Sequence, residues 1–223
     1  MRRDLRNEPG PEADDSGFTL TELIVAMSIF AIIITIFLSG MVSMTSATVR
    51  AQDVANAGDS VRLAFQMLDK QIRYAESINS PGVGGSGAHY VEFLTSSQRD
   101  GELPLCTQWR YQPTDRSLAY RTWRDVPTGT VSGWRVIAVN MRNDLSGSPP
   151  DTPFVLLFAD AAQVRQELKV SFNAGRTVTG EPGADIGTRF VARNSSEQSV
   201  SNADDNGDGV SDTLVCSSHL ERL

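Results

Sequence analysis

The chain has 223 residues, enough for one membrane segment and one soluble domain of ordinary size. Hydrophobic residues make up 40% of it and charged residues 21%, and the formal net charge is -7. This is the composition of a globular protein rather than of a disordered chain. An acidic chain is a poor direct ligand for nucleic acid, because phosphate contacts need lysine and arginine. We therefore expect no direct nucleic-acid partner.

A dense apolar run follows a polar leader at the start of the sequence. Residues 1–17 include three arginines, whereas the 22 positions from residue 23 to residue 44 include no charged side chain. A helix of that length covers about 33 Å, enough to cross the hydrocarbon core of a bilayer. The leader arginines favour a cytoplasmic N-terminus. We predict a single-pass protein of the cytoplasmic membrane, with residues 18–44 in the membrane and the rest outside the cytoplasm.

The leader and the apolar run meet in the string GFTLTE at residues 17–22. An ordinary secretory signal is cut after its apolar region, but here the small residue, Gly17, lies before it. The string followed by an apolar helix resembles the class III signal of type IV prepilins and type II secretion pseudopilins. In that family a prepilin peptidase cuts after the glycine and methylates the new N-terminal residue. The resemblance implies that Gly17 and Phe18 form the processing site and that residues 1–17 are removed.

Glu22 is the one carboxylate at the head of the apolar run, and it falls on the fifth mature position, where the family has its glutamate. A carboxylate in lipid costs several kcal/mol unless it finds a partner. The terminal amine stays protonated after methylation, so the amine of the same or a neighbouring subunit could neutralise Glu22. We predict an assembly role for this residue. The alternative is a carboxylate that extends to the lipid headgroups.

The sequence between the apolar run and Pro81 has no helix breaker. Apolar residues recur there every seven positions, at Val54, Val61, Leu68 and Ala75. We predict an amphipathic helix over residues 45–79 that packs on the chain's own sheet, with a coiled-coil seam as the alternative. The glycine-rich residues 80–87 are predicted to form a flexible linker.

Short alternating segments after the linker indicate strands. They lie at residues 90–94, 107–112, 118–123, 134–140, 154–158, 167–172 and 189–193. Five large aromatic residues in these segments are predicted to be core residues: Trp109, Tyr111, Tyr120, Trp123 and Trp134. The fold class is then α+β, a pilin-like fold. Its long helix is transmembrane in one half and amphipathic in the other, and it packs on an antiparallel sheet in a head over residues 80–223.

Parts of the head are similar to a subgroup of the superfamily. Residues 66–75, the hairpin 109–121 and residues 190–194 resemble the corresponding parts of J-type or W-type minor subunits. In addition, Ser39 stands where many major pilins have a helix-kinking proline. Both observations favour a minor subunit.

The two cysteines, Cys106 and Cys216, both follow the apolar run. Outside the cytoplasm they could form a disulfide, and the alternative is two unpaired thiols. A bridge would close a loop of about 110 residues, worth about 4–5 kcal/mol in the chain-entropy description.

The residues 204–212 form an acidic loop, DDNGDGVSD. Its oxygen ligands are spaced as in an EF-hand loop, and Gly209 stands at the sixth position, where that loop turns sharply. The bidentate glutamate of the twelfth position is missing. We predict a weak calcium site, with a solvated acidic turn as the alternative and no other cofactor. Its ligands would be Asp204, Asn206, Asp208, Val210 and Asp212.

The sequence shows no set of acid, base and nucleophile that would indicate an enzyme. We predict a structural subunit, a minor pilin or a pseudopilin. Its partners would be the prepilin peptidase, the membrane and other subunits bound through the N-terminal helix. The alternative is a membrane-anchored binding or adhesion protein with an uncut helix. The choice between secretion pseudopilus, DNA-uptake system and surface pilus stays open.

Overall fold

The computed structural model describes residues 17–96, 101–175 and 184–222. The chain divides into two compact units, Met1–Val49 and Arg50–Leu223. Of the predicted leader, only Gly17 lies within the described residues. The fold is α+β, with a long N-terminal helix and antiparallel sheets, and it is consistent with the pilin-like fold that the sequence predicts.

In the first unit, the described residues are 17–19 and the start of helix α1 (Leu20–Ile72), which continues into the second unit. By length and composition α1 is able to cross a membrane, and every residue from 17 to 45 is exposed. Ser28 and Thr35 donate their hydroxyl groups to the carbonyls four residues earlier, at 2.8 and 2.7 Å. These internal bonds lower the cost of placing a hydroxyl group in an apolar environment.

In the second unit, α1 buries one apolar stripe. Its members recur at three- and four-residue spacing, so they share one helix face. They are Ala57, Val61, Ala64, Leu68 and Ile72. The stripe joins the core with the inner faces of the sheets, so the predicted packing on the chain's own sheet is what the structure shows.

The helix ends at Ile72, before the predicted boundary at residue 79. Ala75 donates its N–H to the carbonyl of Ile72, which closes a tight turn. The chain then enters a strand at Ser77, because Ser77 and Ile78 pair with a strand that lies later in the sequence. No helix breaker marks this change, which depends on a partner strand rather than on local propensity.

The strands form two antiparallel sheets in the described part of the head. Sheet A has six strands in the order β1-β3-β4-β5-β6, with β2 also paired to β3. They are β1 (Ser77–Ile78), β2 (Gly82–Val83), β3 (His89–Thr95), β4 (Leu105–Gln112), β5 (Ser117–Arg124) and β6 (Arg135–Val139). Sheet B has three strands in chain order, β7 (Phe154–Leu157), β8 (Glu167–Ala174) and β9 (Ala184–Val191). A strand is present at each of the predicted segments, but the last one, β9, begins five residues before the predicted 189–193 and ends at Val191.

The core lies between the stripe of α1 and the inner faces of both sheets. The ring of Trp109 stacks on that of Tyr120 with centroids 5.2 Å apart, and its Nε1–H donates to Oε1 of Gln71 on α1 at 2.8 Å. From sheet B, Phe172 contacts Phe65 of the helix at 5.3 Å between centroids. Of the five aromatics that the sequence placed in the core, Trp134 is only half-buried.

The glycine-rich residues 80–87 are not the predicted flexible linker. Gly82 and Val83 form β2, and a Cβ atom built on Gly84 would lie 2.7 Å from the backbone oxygen of Arg222. The missing side chain lets the end of the chain lie against the sheet. The prediction was wrong because the partner of these glycines lies far away in the sequence.

The C-terminal segment, residues 195–222, is fixed to the start of sheet A by reciprocal hydrogen bonds. Asn79 donates its Nδ2–H to the carbonyl of Val215 and accepts the N–H of Val215, both at 2.9 Å. The N–H of Ser80 donates to the hydroxyl oxygen of Ser211 at 3.0 Å, and the N–H of Ser211 donates to the hydroxyl oxygen of Ser80 at 2.8 Å. Paired side-chain and backbone groups of this kind satisfy buried polar atoms without a further strand.

A buried ion pair closes the segment on the face of sheet A opposite α1. The carboxylate of Glu92 is fully buried, and Arg222 contacts it through Nη2 at 2.6 Å and Nε at 3.2 Å. Gln108 donates to the same carboxylate at 2.9 Å and accepts from Nε of Arg121 at 2.6 Å. Burial lowers the pKa of the Arg121 guanidinium. Glu92 and Arg222 neutralise each other, and Arg121 donates to the side-chain oxygen of Gln108. Each charged group of this network therefore has a polar partner, as a low-dielectric environment requires.

Cys106 and Cys216 form a disulfide, with sulfur atoms 2.09 Å apart and Cα atoms 5.6 Å apart. Both cysteines are buried and pack with Trp123 and Val215 in a second, smaller core. The bridge links β4 to the C-terminal segment next to the ion pair. The segment is therefore held by covalent, ionic and hydrogen-bonded contacts.

Replacing Gly84 by alanine should destabilise the head, because the new Cβ would meet the backbone of Arg222. We expect a loss of about 1–3 kcal/mol in the free energy of unfolding, as in other overpacked sites. Urea denaturation of residues 50–223 measures it. Gly85→Ala is the matched control, since nothing lies within 4 Å of a Cβ there. Equal stability of the two variants would contradict the packing described for Arg222.

Candidate processing and assembly site

The N-terminus of α1 is closed by a capping box. Thr19 is the residue before the helix, and its Oγ1 accepts the N–H of Glu22 at 3.3 Å. In return, Oε2 of Glu22 accepts the N–H of Thr19 at 3.1 Å and its hydroxyl at 2.9 Å. Two N–H groups that have no intrahelical acceptor are thereby satisfied. The pattern Thr-x-x-Glu is typical of this arrangement, whereas the role predicted for Glu22 rested only on its charge.

The capping box fixes where the Glu22 carboxylate lies. It is held at the first turn of the helix, where the helix dipole favours a negative charge. No ion pair of Glu22 with a lysine or arginine is found in the part of the chain that the structure describes. Hydrogen bonds from Thr19 orient the carboxylate without neutralising its charge.

The predicted processing residues lie immediately before this cap. Gly17 and Phe18 precede the helix in extended or irregular backbone, and both are exposed. The ring of Phe18 is 88% exposed and marks the start of a continuous apolar surface that reaches Met44. The predicted cleavage point is therefore an exposed, non-helical peptide bond next to a capped helix.

The acidic loop shows the predicted turn but not a converging ligand set. Gly209, at the sixth position, has φ +79°, and the carboxylate of Asp204 accepts the N–H groups of Asp208 and Gly209 at 3.0 and 2.9 Å. The carboxylate of Asp212 accepts the N–H of Asp205 at 2.6 Å. Among the described residues, no group of three or more histidine, cysteine, aspartate or glutamate side chains is placed to bind a metal ion. The calcium site stays a prediction.

A family description of the prokaryotic N-terminal methylation motif matches residues 13–38. The match covers the glycine-phenylalanine junction, the capping box and the first part of α1. The chain therefore contains this motif, and together with the apolar helix it is consistent with the type IV pilin and pseudopilin superfamily.

The motif supports a pilin-like or pseudopilin precursor with membrane association and subunit assembly. Its family is one of structural subunits rather than enzymes. No curated protein and no solved structure matches the chain. The J-type or W-type subgroup stays a prediction.

Calcium binding to the acidic loop is tested by thermal unfolding. If the five predicted ligands bind the ion, calcium at concentrations on the order of millimolar should raise the Tm of residues 50–223, because a ligand of the folded state stabilises it. The variant Asp208→Asn/Asp212→Asn should lose the shift, while magnesium should not replace calcium. An unchanged Tm for the unmodified chain would leave the loop as a solvated acidic turn.

Proposed function

We propose that the protein is a minor pilin or pseudopilin, a structural subunit of a type IV pilus or a type II secretion-type filament. The prepilin peptidase would cut it between Gly17 and Phe18 and methylate Phe18. The observation that supports this most strongly is the apolar, fully exposed first half of α1. Its first turn contains Glu22, which forms the capping box with Thr19 and lies inside the methylation motif.

The apolar half of α1 could lie first in the membrane and then in the interior of a filament. In the cytoplasmic membrane, with its N-terminus inside, lipid would cover the exposed side chains from Phe18 to Met44. In a filament, the same surface would pack against the helices of other subunits. Ala26, Ala31 and Gly40 are small enough to let neighbouring helices approach closely.

Glu22 would pair with a cation when the helix moves from the membrane into a filament. After cleavage, the amine of Phe18 is the nearest cation in the sequence, and it keeps its charge when methylated. If a neighbouring subunit supplies this amine, the ion pair forms only when the two helices have the correct axial register. The capping box would keep the carboxylate in place until the neighbour arrives.

The substitution Glu22→Gln separates charge from capping. Glutamine is compatible with the capping box, so the helix start should persist while the ion pair is lost. We expect processing to continue but incorporation into filaments to fall strongly, with a similar loss for Glu22→Ala. The measurement is the ratio of the variant in sheared filaments to that in the membrane, by quantitative immunoblot.

The matched control is Thr19→Ala, which removes the cap but keeps the carboxylate. It should lower helix stability by about 1 kcal/mol and affect incorporation less than Glu22→Gln. Normal incorporation of Glu22→Gln would refute the proposed role of the charge. A wild-type chain found only in membranes, with an uncut leader, would favour a membrane-anchored binding protein.

A further inference from the structure

The outer face of sheet B has an unusual charge arrangement. Residues of β8 alternate between the core and solvent, so that Leu168 and Val170 are buried whereas Lys169 is exposed. In the register of β8 and β9, Lys169 lies directly opposite Arg189, whose side chain is 62% exposed. Like charges directly opposite each other destabilise an antiparallel pair. An anion placed against this face would remove that cost.

Two carboxylates of the same face, Glu167 and Asp185, supply that anion only in part. Oε2 of Glu167 lies 4.0 Å from Nη1 of Arg189, at the outer limit of an ion pair. Lys169 has no ion pair among the described residues. Val155 and Val191 flank the two cations and are 38% and 42% exposed. The outer face of sheet B therefore offers two cations with apolar side chains beside them.

The acidic loop, residues 204–212, has the complementary character. It contains four aspartates and no lysine or arginine. Within the described residues no ion pair engages any of these carboxylates. Val210, in the middle of the loop, is 52% exposed. The hydrogen bonds between Ser80 and Ser211 hold one end of the loop to sheet A, so the loop is anchored.

We infer that the outer face of sheet B binds the acidic loop of an adjacent copy of this chain. Lys169 and Arg189 would pair with the loop aspartates, and Val210 would lie against Val155 and Val191. The two surfaces differ, so the contact is head-to-tail and can repeat along an assembly. This inference rests on the proposed function, because it assigns a contact between heads whose helices already assemble. Such a contact should weaken as salt screens the charges.

The lysine content of the chain gives a specific test. Lys70 and Lys169 are its only lysines, so a carbodiimide, which joins an amine to a carboxylate in contact, has few sites. Isotope-labelled and unlabelled full-length protein are mixed in detergent, cross-linked and digested for mass spectrometry. We expect peptides that join Lys169 of one isotope to the acidic loop of the other, and their loss at high salt.

Substitutions distinguish the contact from random coupling. Lys169→Arg keeps the charge but removes the amine, so the link should disappear, whereas Lys70→Arg should leave it unchanged. Lys169→Glu/Arg189→Glu should abolish the contact, and mixing that variant with Asp205→Lys/Asp208→Lys should produce links between the exchanged charges. Links confined to one isotope, or no loop link at all, would overturn the inference.

Ser39→Cys reports association through the apolar helix separately, by oxidative cross-linking. If that cross-link forms and the loop link does not, the inference fails while the proposed function stands. If neither forms in the protein recovered from membranes, both fail.

Discussion

The first half of α1 has an apolar surface whose exposure to water is unfavourable. From residue 23 to residue 44 it has no charge, and every one of these side chains is exposed in the described structure. The hydrophobic effect favours burial of such a surface by about 25 cal/mol for each Å². No other described residue of the first unit covers it. We propose that lipid or neighbouring helices do so, and the proposed membrane-derived assembly depends on this one constraint.

The head, in contrast, buries its apolar surface within its own fold. Its C-terminal segment adds no strand to either sheet in the described residues, yet it is held by three kinds of contact. The disulfide joins it to β4, Asn79 and Ser80 bind its backbone, and Arg222 neutralises the buried Glu92. Removing one partner of a buried pair is costly, because the other charge stays behind. The segment is therefore integral to the head.

Much of this fold could be predicted, and the failures have one cause. Alternation of apolar and polar residues located the strands, and the stripe from Val61 to Leu68 located the buried face of α1. Local sequence does not record partners that are distant in the chain. The strand at Ser77, the glycines that accommodate Arg222 and the division into two sheets all depend on such partners.

The candidate site was predicted in its residues but not in its geometry. Gly17, Phe18 and Glu22 were chosen by resemblance, and the methylation motif covers all three. The hydrogen bonds between Thr19 and Glu22 add a physical reason for the position of the carboxylate. The head gave no comparable signal, since its acidic loop contains only part of a ligand pattern. That Lys169 lies opposite Arg189 can be recognised only when the register of β8 and β9 is known.

We propose that the chain is cut after Gly17 and assembles through the helix that begins at Phe18. Intact-mass analysis of the protein extracted from its own membranes tests it most directly. We expect a chain that starts at Phe18, has one added methyl group and retains the disulfide. A mass that includes residues 1–17 would contradict it.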